Sequence, residues 1–309
     1  MSIDDTIREI FESINLDHHL PDDVAHVEIN HNRVLGLHLV PGLEITATEL
    51  PDGIEANLRV LAGVKIAKPV HLCFGMLADA GVQRILMHVQ LEDGAEISIT
   101  AHCTFPNAVD VQHLMDADIH IGKGARYTYF ERHVHGPSGG VHVVPKAKVF
   151  VGEDARFKTE FELIKGRVGK MEIDYETVCQ ARGVVEMTAR VSATKNDTLI
   201  IRESAHLAGE GARGLLNTYI AARDQSRAEI YNNLIASAPF ARGHVDCKEI
   251  VQGEAVALAA PIVEVRNSKA HVTHEAAIGS VDSKQLQTLL SRGLSETEAT
   301  DLIIEGLLS

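Results

Sequence analysis

Between Gly94 and Gly243, small-residue punctuation returns roughly every 15 residues, and that recurrence restricts the fold more than any other feature of the chain. It falls at Gly94-Ala95, Asn107-Ala108, Gly124-Ala125, Gly139-Gly140, Asp154-Ala155, Gly169, Gly183, Asn196-Asp197, Gly211-Ala212, Ala228 and Gly243. Between these points lie short runs such as A-E-I-S-I-T, A-R-Y-T-Y-F, A-R-F-K-T-E-F-E-L, V-V-E-M-T-A-R-V and L-L-N-T-Y-I-A. Apolar and polar residues alternate in them, so each reads as a strand with one face buried. A fixed strand-plus-turn unit repeated this often predicts a β-solenoid with two strands per coil. A sandwich or meander also spaces its strands, but the even spacing and the scarcity of Asn-Gly or Asp-Gly hairpin pairs favour the solenoid.

The flanks carry a different pattern. Ile3, Ile7, Ile10, Phe11 and Ile14 recur at helical spacing near the start, and residues 24–90 mix strands and loops without a clear repeat. An N-terminal α/β cap over 1–85, a solenoid over 86–270 and a helical segment over 271–309 are therefore expected. In the last segment, Asp282 opens one helix and Gly293 ends it. Ser295 with Glu298 forms a capping box that opens a second, expected to run through Ile304. Its face of Ala299, Leu302 and Ile303 needs a cover, either the solenoid end or a partner.

Composition bounds the function. The 309 residues are 45% hydrophobic and 23% charged, ordinary for a globular protein, with 4% aromatics and no Trp. A core of Val, Ile, Leu and Ala suits stacked sheets. The formal charge of −14 argues against sequence-independent nucleic-acid binding and against docking on an anionic membrane. No apolar run reaches membrane-spanning length, and M-S-I-D-D-T places acids where a secretory leader places bases, so a cytoplasmic location is expected. Cys73, Cys103, Cys179 and Cys247 form no C-x-x-C pair and read as free thiols. No Walker, dinucleotide or nucleophile-elbow motif is present, so no nucleotide is expected on this chain.

Chemistry concentrates near the C-terminal end. G-H-V-D-C-K-E-I-V-Q-G carries Cys247 in a strand-like run, and A-H-V-T-H-E-A-A-I-G carries His274 and Glu275 where strands give way to helices. Thiolate, imidazole and carboxylate together are metal ligands, and thiolate favours iron–sulfur clusters, zinc or copper(I). Taken singly, Cys247 is a small buried hydrophobe and His274-Glu275 a surface pair.

In order and wording these segments resemble the core of the SufB/SufD family, scaffold proteins of the SUF iron–sulfur cluster assembly system. The likeness is specific over about 65 residues and looser over the repeats. It implies a right-handed parallel β-helix and a non-catalytic scaffold that holds a transient iron–sulfur cluster. Cys247 and Glu275 match the family's cluster-building cysteine and glutamate, with His274 beside them. The family's partner is a SufC-like ABC ATPase, and its subunits pair near the last solenoid strands, as a homodimer or with a SufB/SufD paralogue. Leu286, Leu289, Leu290, Leu302 and Ile303 are the residues expected to meet the ATPase. Sulfur travels through the family's solenoid interior from an earlier cysteine, which makes Cys103 the sulfur-acceptor candidate. The fuller family form has an N-terminal cysteine motif with no counterpart before Cys73, so this chain resembles a short, archaeal-type version.

E-R-H-V-H-G, followed by His142, is the one other metal-like pattern. His133 and His135 share a face if they lie on a strand, so a cupin-like metal-dependent β-barrel enzyme is the alternative. The later carboxylate and histidine of such a site are not evident, and with 17 histidines a chance H-x-H is expected.

Overall fold

The computed structural model describes residues 3–13 and 20–309. Ile14 of the expected helical face, and Met1 and Ser2 of the acidic start, lie outside the described residues. Helix α1 (Ile3–Ser13) is followed by β1 (His26–Asn30), β2 (Arg33–His38), β3 (Leu43–Leu50), β4 (Gly53–Val60) and β5 (Val70–Gly75). The longer strands follow: β6 (Ala80–Leu91), β7 (Glu96–Phe105), β8 (Asp110–Ile121), β9 (Arg126–His135), β10 (Val141–Val151), β11 (Arg156–Lys165) and β12 (Lys170–Cys179). The last strands are β13 (Val184–Ala193), β14 (Thr198–Leu207), β15 (Arg213–Ala222), β16 (Arg227–Ala236), β17 (Arg242–Val251), β18 (Val256–Val265) and β19 (His271–Gly279). Helices α2 (Ser283–Leu290) and α3 (Glu296–Leu308) close the chain.

Every strand from β6 onward pairs in parallel with the strand two before it, which is the signature of a solenoid. One sheet runs β19-β17-β15-β13-β11-β9-β7-β5-β1-β2 and the other β18-β16-β14-β12-β10-β8-β6-β4-β3. Cys103 pairs with His133, Arg156 with Val184 and Arg213 with Arg242, steps of 30, 28 and 29 residues. The expected unit of two strands per coil is the one observed. Antiparallel pairs β1–β2 and β3–β4 close the first coil. The expected divisions fall at 85/86, inside β6, and at 270/271, just ahead of β19; both sheets run across the first point, and the sheet that ends in β19 runs across the second.

The turns explain the punctuation, with three adjustments. Gly94 (φ 69°) and Gly124 (φ 65°) take left-handed backbone, and Asp154 (φ 57°) occupies the same place one coil on. In the next coils that place belongs to Arg182 and Phe240 rather than to Gly183 and Gly243. Gly243 instead lies within β17, where a Cβ would run into the Leu234 side chain across the interior. Ala228 lies within β16, after the turn at Asp224, and is buried. Small residues therefore mark two different needs, turn conformation and interior space, which sequence alone does not separate.

The core is the interior column between the two sheets. In β13 the alternate residues Val185, Met187, Ala189, Val191 and Ala193 are all fully buried, which fits a chain rich in small aliphatics. Each such Val or Met side chain contributes about 1.5–3 kcal/mol on leaving water. Helix α1 lies on the outside, where Ile10 and Phe11 pack on Cys73.

The C-terminal helices start as expected. The Asp282 side chain accepts from the backbone of Lys284 and Gln285, and the Ser295–Glu298 capping box is complete. Helix α3 continues four residues past the expected end at Ile304, because Ile304 and Leu308 dock with Ala221, Tyr219 and Ile250 on the outer face of one sheet. Ala299 is buried rather than left for a partner, while Leu302 stays 48% exposed.

Candidate functional site

Cys247 lies on β17 one strand from the open end of its sheet, covered by β19 alone. Its side chain faces the interior and is buried. Asn232, from the opposite sheet, donates through Nδ2 to Cys247 Sγ at 3.4 Å and to Thr218 Oγ1 at 2.8 Å. Burial pushes the thiol up to about 12, Glu249 adds to the rise, and the Asn232 hydrogen bond works against it. Burial therefore favours the protonated thiol at Cys247 in the closed chain. Two further carboxyls face this interior. Burial raises Glu203 to about 8, and burial with help from Asp246 raises Glu249 to about 7.

The parallel register settles which residues share a face. Val245 pairs with His274, Asp246 with Glu275 and Cys247 with Ala276. Side chains alternate along a strand, so His274 is on the Cys247 side of β19 and Glu275 is on the other. Both are exposed. On that outer side Asp246 accepts from Tyr219 Oη at 3.0 Å and from Lys248 Nζ at 2.9 Å, and Glu275 contributes to holding the Lys248 ammonium charged. The structure thus brings Cys247 and His274 to one face and gives Glu275 to a separate Tyr219–Asp246–Lys248 group.

A line of polar side chains runs back from Cys247 through the interior. Glu203 stacks on Asn232 in one direction and on Tyr175 in the other. Burial first, then Glu131 and Glu203, drive the Tyr175 phenol far above its ordinary range. Beyond Tyr175 and Tyr129 sits a compact group: Cys103, His113, Glu131 and His133, whose ligand-type atoms all lie within 4.8 Å of one another. His133 Nε2 is 2.7 Å from Glu131 Oε1, Cys103 Sγ is 3.7 Å from the same oxygen, and His133 Nδ1 is 3.1 Å from His135 Nε2. Burial lowers His113, His133 and His135 to about 3 and raises Glu131 to about 7. Burial also lifts the Cys103 thiol well above its ordinary value, with Glu131 adding to it.

Sequence reading named three of these five residues, Cys103, His133 and His135, but missed Glu131 and His113. The signal was available in the coil length. His113 stacks on Gln83, and Cys103 on His133, each 30 residues apart, and Glu131 is two residues from His133 on the same strand face. His142 does not join them; it bonds Glu172 on the next coil at 3.1 Å. A cupin barrel is not formed: His133 and His135 face the sealed interior of a solenoid.

Between α2 and α3 an open groove of about 340 Å³ is lined by Lys284, Gln285, Thr288, Leu289, Leu302 and Ile303. Leu290 is 39% exposed and Leu286 half-buried. The expected partner-facing side chains are therefore accessible or lie along this groove. Among the described residues, no helix is long and apolar enough to cross a membrane.

Residues 78–307 match the family described as SUF system FeS cluster assembly, SufBD core domain. An iron-sulfur cluster assembly SufBD family protein of Methanocaldococcus jannaschii is 36% identical over 100% of this chain and 99% of its own length. One from Pyrococcus horikoshii is 34% identical over 97% of this chain and 92% of its own. Iron-sulfur cluster assembly protein SufB of Bacillus subtilis is 24% identical over 81% of this chain, matching 54% of its own length.

Proposed function

The chain belongs to the SufBD family, and from that premise we propose that it is a non-catalytic, cytoplasmic scaffold on which an iron–sulfur cluster is assembled and then passed on. The observation that carries this reading is Cys247: an interior thiol one strand from an open solenoid end, with His274 on the same face and Glu275 on the next strand's outer side. Iron and sulfide are the cargo. Cys247 supplies a thiolate once the end opens, His274 is the second ligand of the same face, and Glu275 with Asp246 offers carboxylates to iron at the rim.

A second copy, or a SufB/SufD paralogue, completes the site. Strands β18 and β19 are unpaired edges, and Val256, Leu258, Ile262 and Val265 stand between 45 and 50% exposed along β18. A long apolar edge of this kind favours pairing with another chain. Opening falls to a SufC-like ATPase held at the α2–α3 groove. Ile304 and Leu308 share a cluster with Ile250, which is three residues from Cys247 on the same strand, so a shift of α3 reaches β17 directly. Nucleotide drives this only if the ATPase binds the open and closed arrangements with different affinity. The interior line through Asn232, Glu203 and Tyr175 supports sulfur delivery from the Cys103 end, the finer part of this reading.

Anaerobic reconstitution with ferrous iron and sulfide tests the proposal. The wild-type protein is expected to gain visible thiolate-to-iron absorption with matching acid-labile sulfide, and Cys247→Ser to gain neither. Equal cluster content in the two proteins would remove Cys247 from the site.

A further inference from the structure

The interior group around Glu131 has a hydrogen-bond pattern that protons alone do not complete. The Gln83 amide nitrogen donates to the carbonyls of His31 at 2.9 Å and Gly75 at 3.0 Å, which fixes the amide orientation. Its oxygen therefore accepts from His113 Nδ1 at 3.0 Å, so His113 carries its proton there and presents a bare Nε2. His135 Nδ1 lies 2.8 Å from the Arg167 carbonyl and must donate to it, leaving its Nε2 to accept from His133 Nδ1. His133 Nε2 is then also bare, and it faces Glu131 Oε1 at 2.7 Å.

Two lone pairs cannot face each other at that distance without a positive centre between them. A proton on Glu131 fills that one contact. It leaves His113 Nε2 and Glu131 Oε2 buried with no partner, the situation in which an unplaced water or ion is to be sought. A proton on His133 Nε2 instead fills the same contact and leaves the same two atoms without a partner. A metal ion satisfies His113 Nε2, His133 Nε2 and Glu131 together and takes Cys103 Sγ as a fourth ligand.

We propose that Cys103, His113, Glu131 and His133 form a four-ligand site for a divalent metal ion of the zinc or ferrous type, resident inside the solenoid. The donor set selects that class. One thiolate and two imidazoles suit borderline-soft ions, whereas magnesium and calcium take oxygen ligands. Thiolate plus carboxylate balance the two positive charges of the ion, so the filled site is neutral in an interior where net charge is costly. Binding expels the Cys103 proton and any proton on Glu131. Gln83, and the His135–Arg167 carbonyl relay, hold the two imidazoles by their other nitrogens, the arrangement that orients histidine ligands.

The site is separate from the cluster site and does not depend on the scaffold reading. Its ligands are at most 1% exposed, so the ion exchanges slowly. A Cys103 sulfur held by the ion is not free to carry sulfane sulfur, so a filled site and sulfur delivery from Cys103 exclude each other in the same molecule.

The test is metal analysis of the full-length protein, produced in zinc- or iron-supplemented medium and dialysed against a chelator. About one ion per chain is expected without acid-labile sulfide, and the medium that fills the site identifies the metal. The ion should be lost in Cys103→Ser and His113→Gln and retained in Cys247→Ser. X-ray absorption on the wild-type metal, which needs no variant to fold, should show one sulfur among nitrogen and oxygen neighbours. Metal-free wild type, a metal environment without sulfur, retention of the ion in folded Cys103→Ser, or persulfide on Cys103 in metal-loaded protein would each overturn the assignment.

Discussion

Glu203 gives the sharpest stability prediction. It is buried mid-solenoid, with Oε2 unpartnered, and burial raises it from 4.5 to about 8. The native chain therefore keeps this proton through the range where the unfolded chain releases it. Its contribution to stability is fully present below pH ~4.5 and is lost as pH rises toward 8. At about 1.36 kcal/mol per pH unit, the loss between pH 5 and pH 8 integrates to roughly 3 kcal/mol. Glu203→Gln keeps shape and hydrogen-bonding capacity without titrating. Guanidinium unfolding of the two full-length proteins should thus show a gap that shifts in favour of the variant by about 3 kcal/mol over that range. A gap that is the same at both pH values would mean that Glu203 is ionised in the native protein, and the account of the interior as a low-dielectric column would fail.

Other outcomes follow from burial and exposure. Leu216→Ala, at a fully buried interior position, should lower unfolding free energy by about 2–5 kcal/mol, measured by denaturant titration. Ile262→Lys on edge strand β18, 50% exposed in the single chain, should turn a dimer into a monomer by light scattering while leaving the unfolding midpoint near its original value. Leu302→Asp, 48% exposed on α3, should weaken binding of the ATPase partner in calorimetry by about tenfold or more without changing the solenoid's circular dichroism.

The repeat was legible because strand alternation and turn spacing are local properties. The runs around Ile97, Tyr127, Phe157 and Val185 all fall on strands of the expected kind. The turn positions at Arg182 and Phe240 were not legible, because a left-handed residue need not be glycine, and Gly183 and Gly243 are small for reasons of space. The strand that carries Cys247 and the capping box at Ser295 were found from wording and spacing. That Glu275 faces away from Cys247 is a matter of register between strands 29 residues apart, which only the coil length fixes. The convergence of the interior group escaped for the same reason, although Cys103, His133 and His135 were each named. His113 and Glu131 sit on opposite sheets and converge only when the coil closes, so no short motif contains them.

The central claim is that Cys247 holds a cluster that the protein builds and then surrenders. Its most direct test is transfer from reconstituted protein to an apo-ferredoxin-type acceptor, followed by the acceptor's own spectrum under anaerobic conditions. The account predicts that wild-type protein matures the acceptor and that Cys247→Ser, refilled in the same way, does not. Equal maturation by the two, or a wild-type cluster that never leaves, would contradict it.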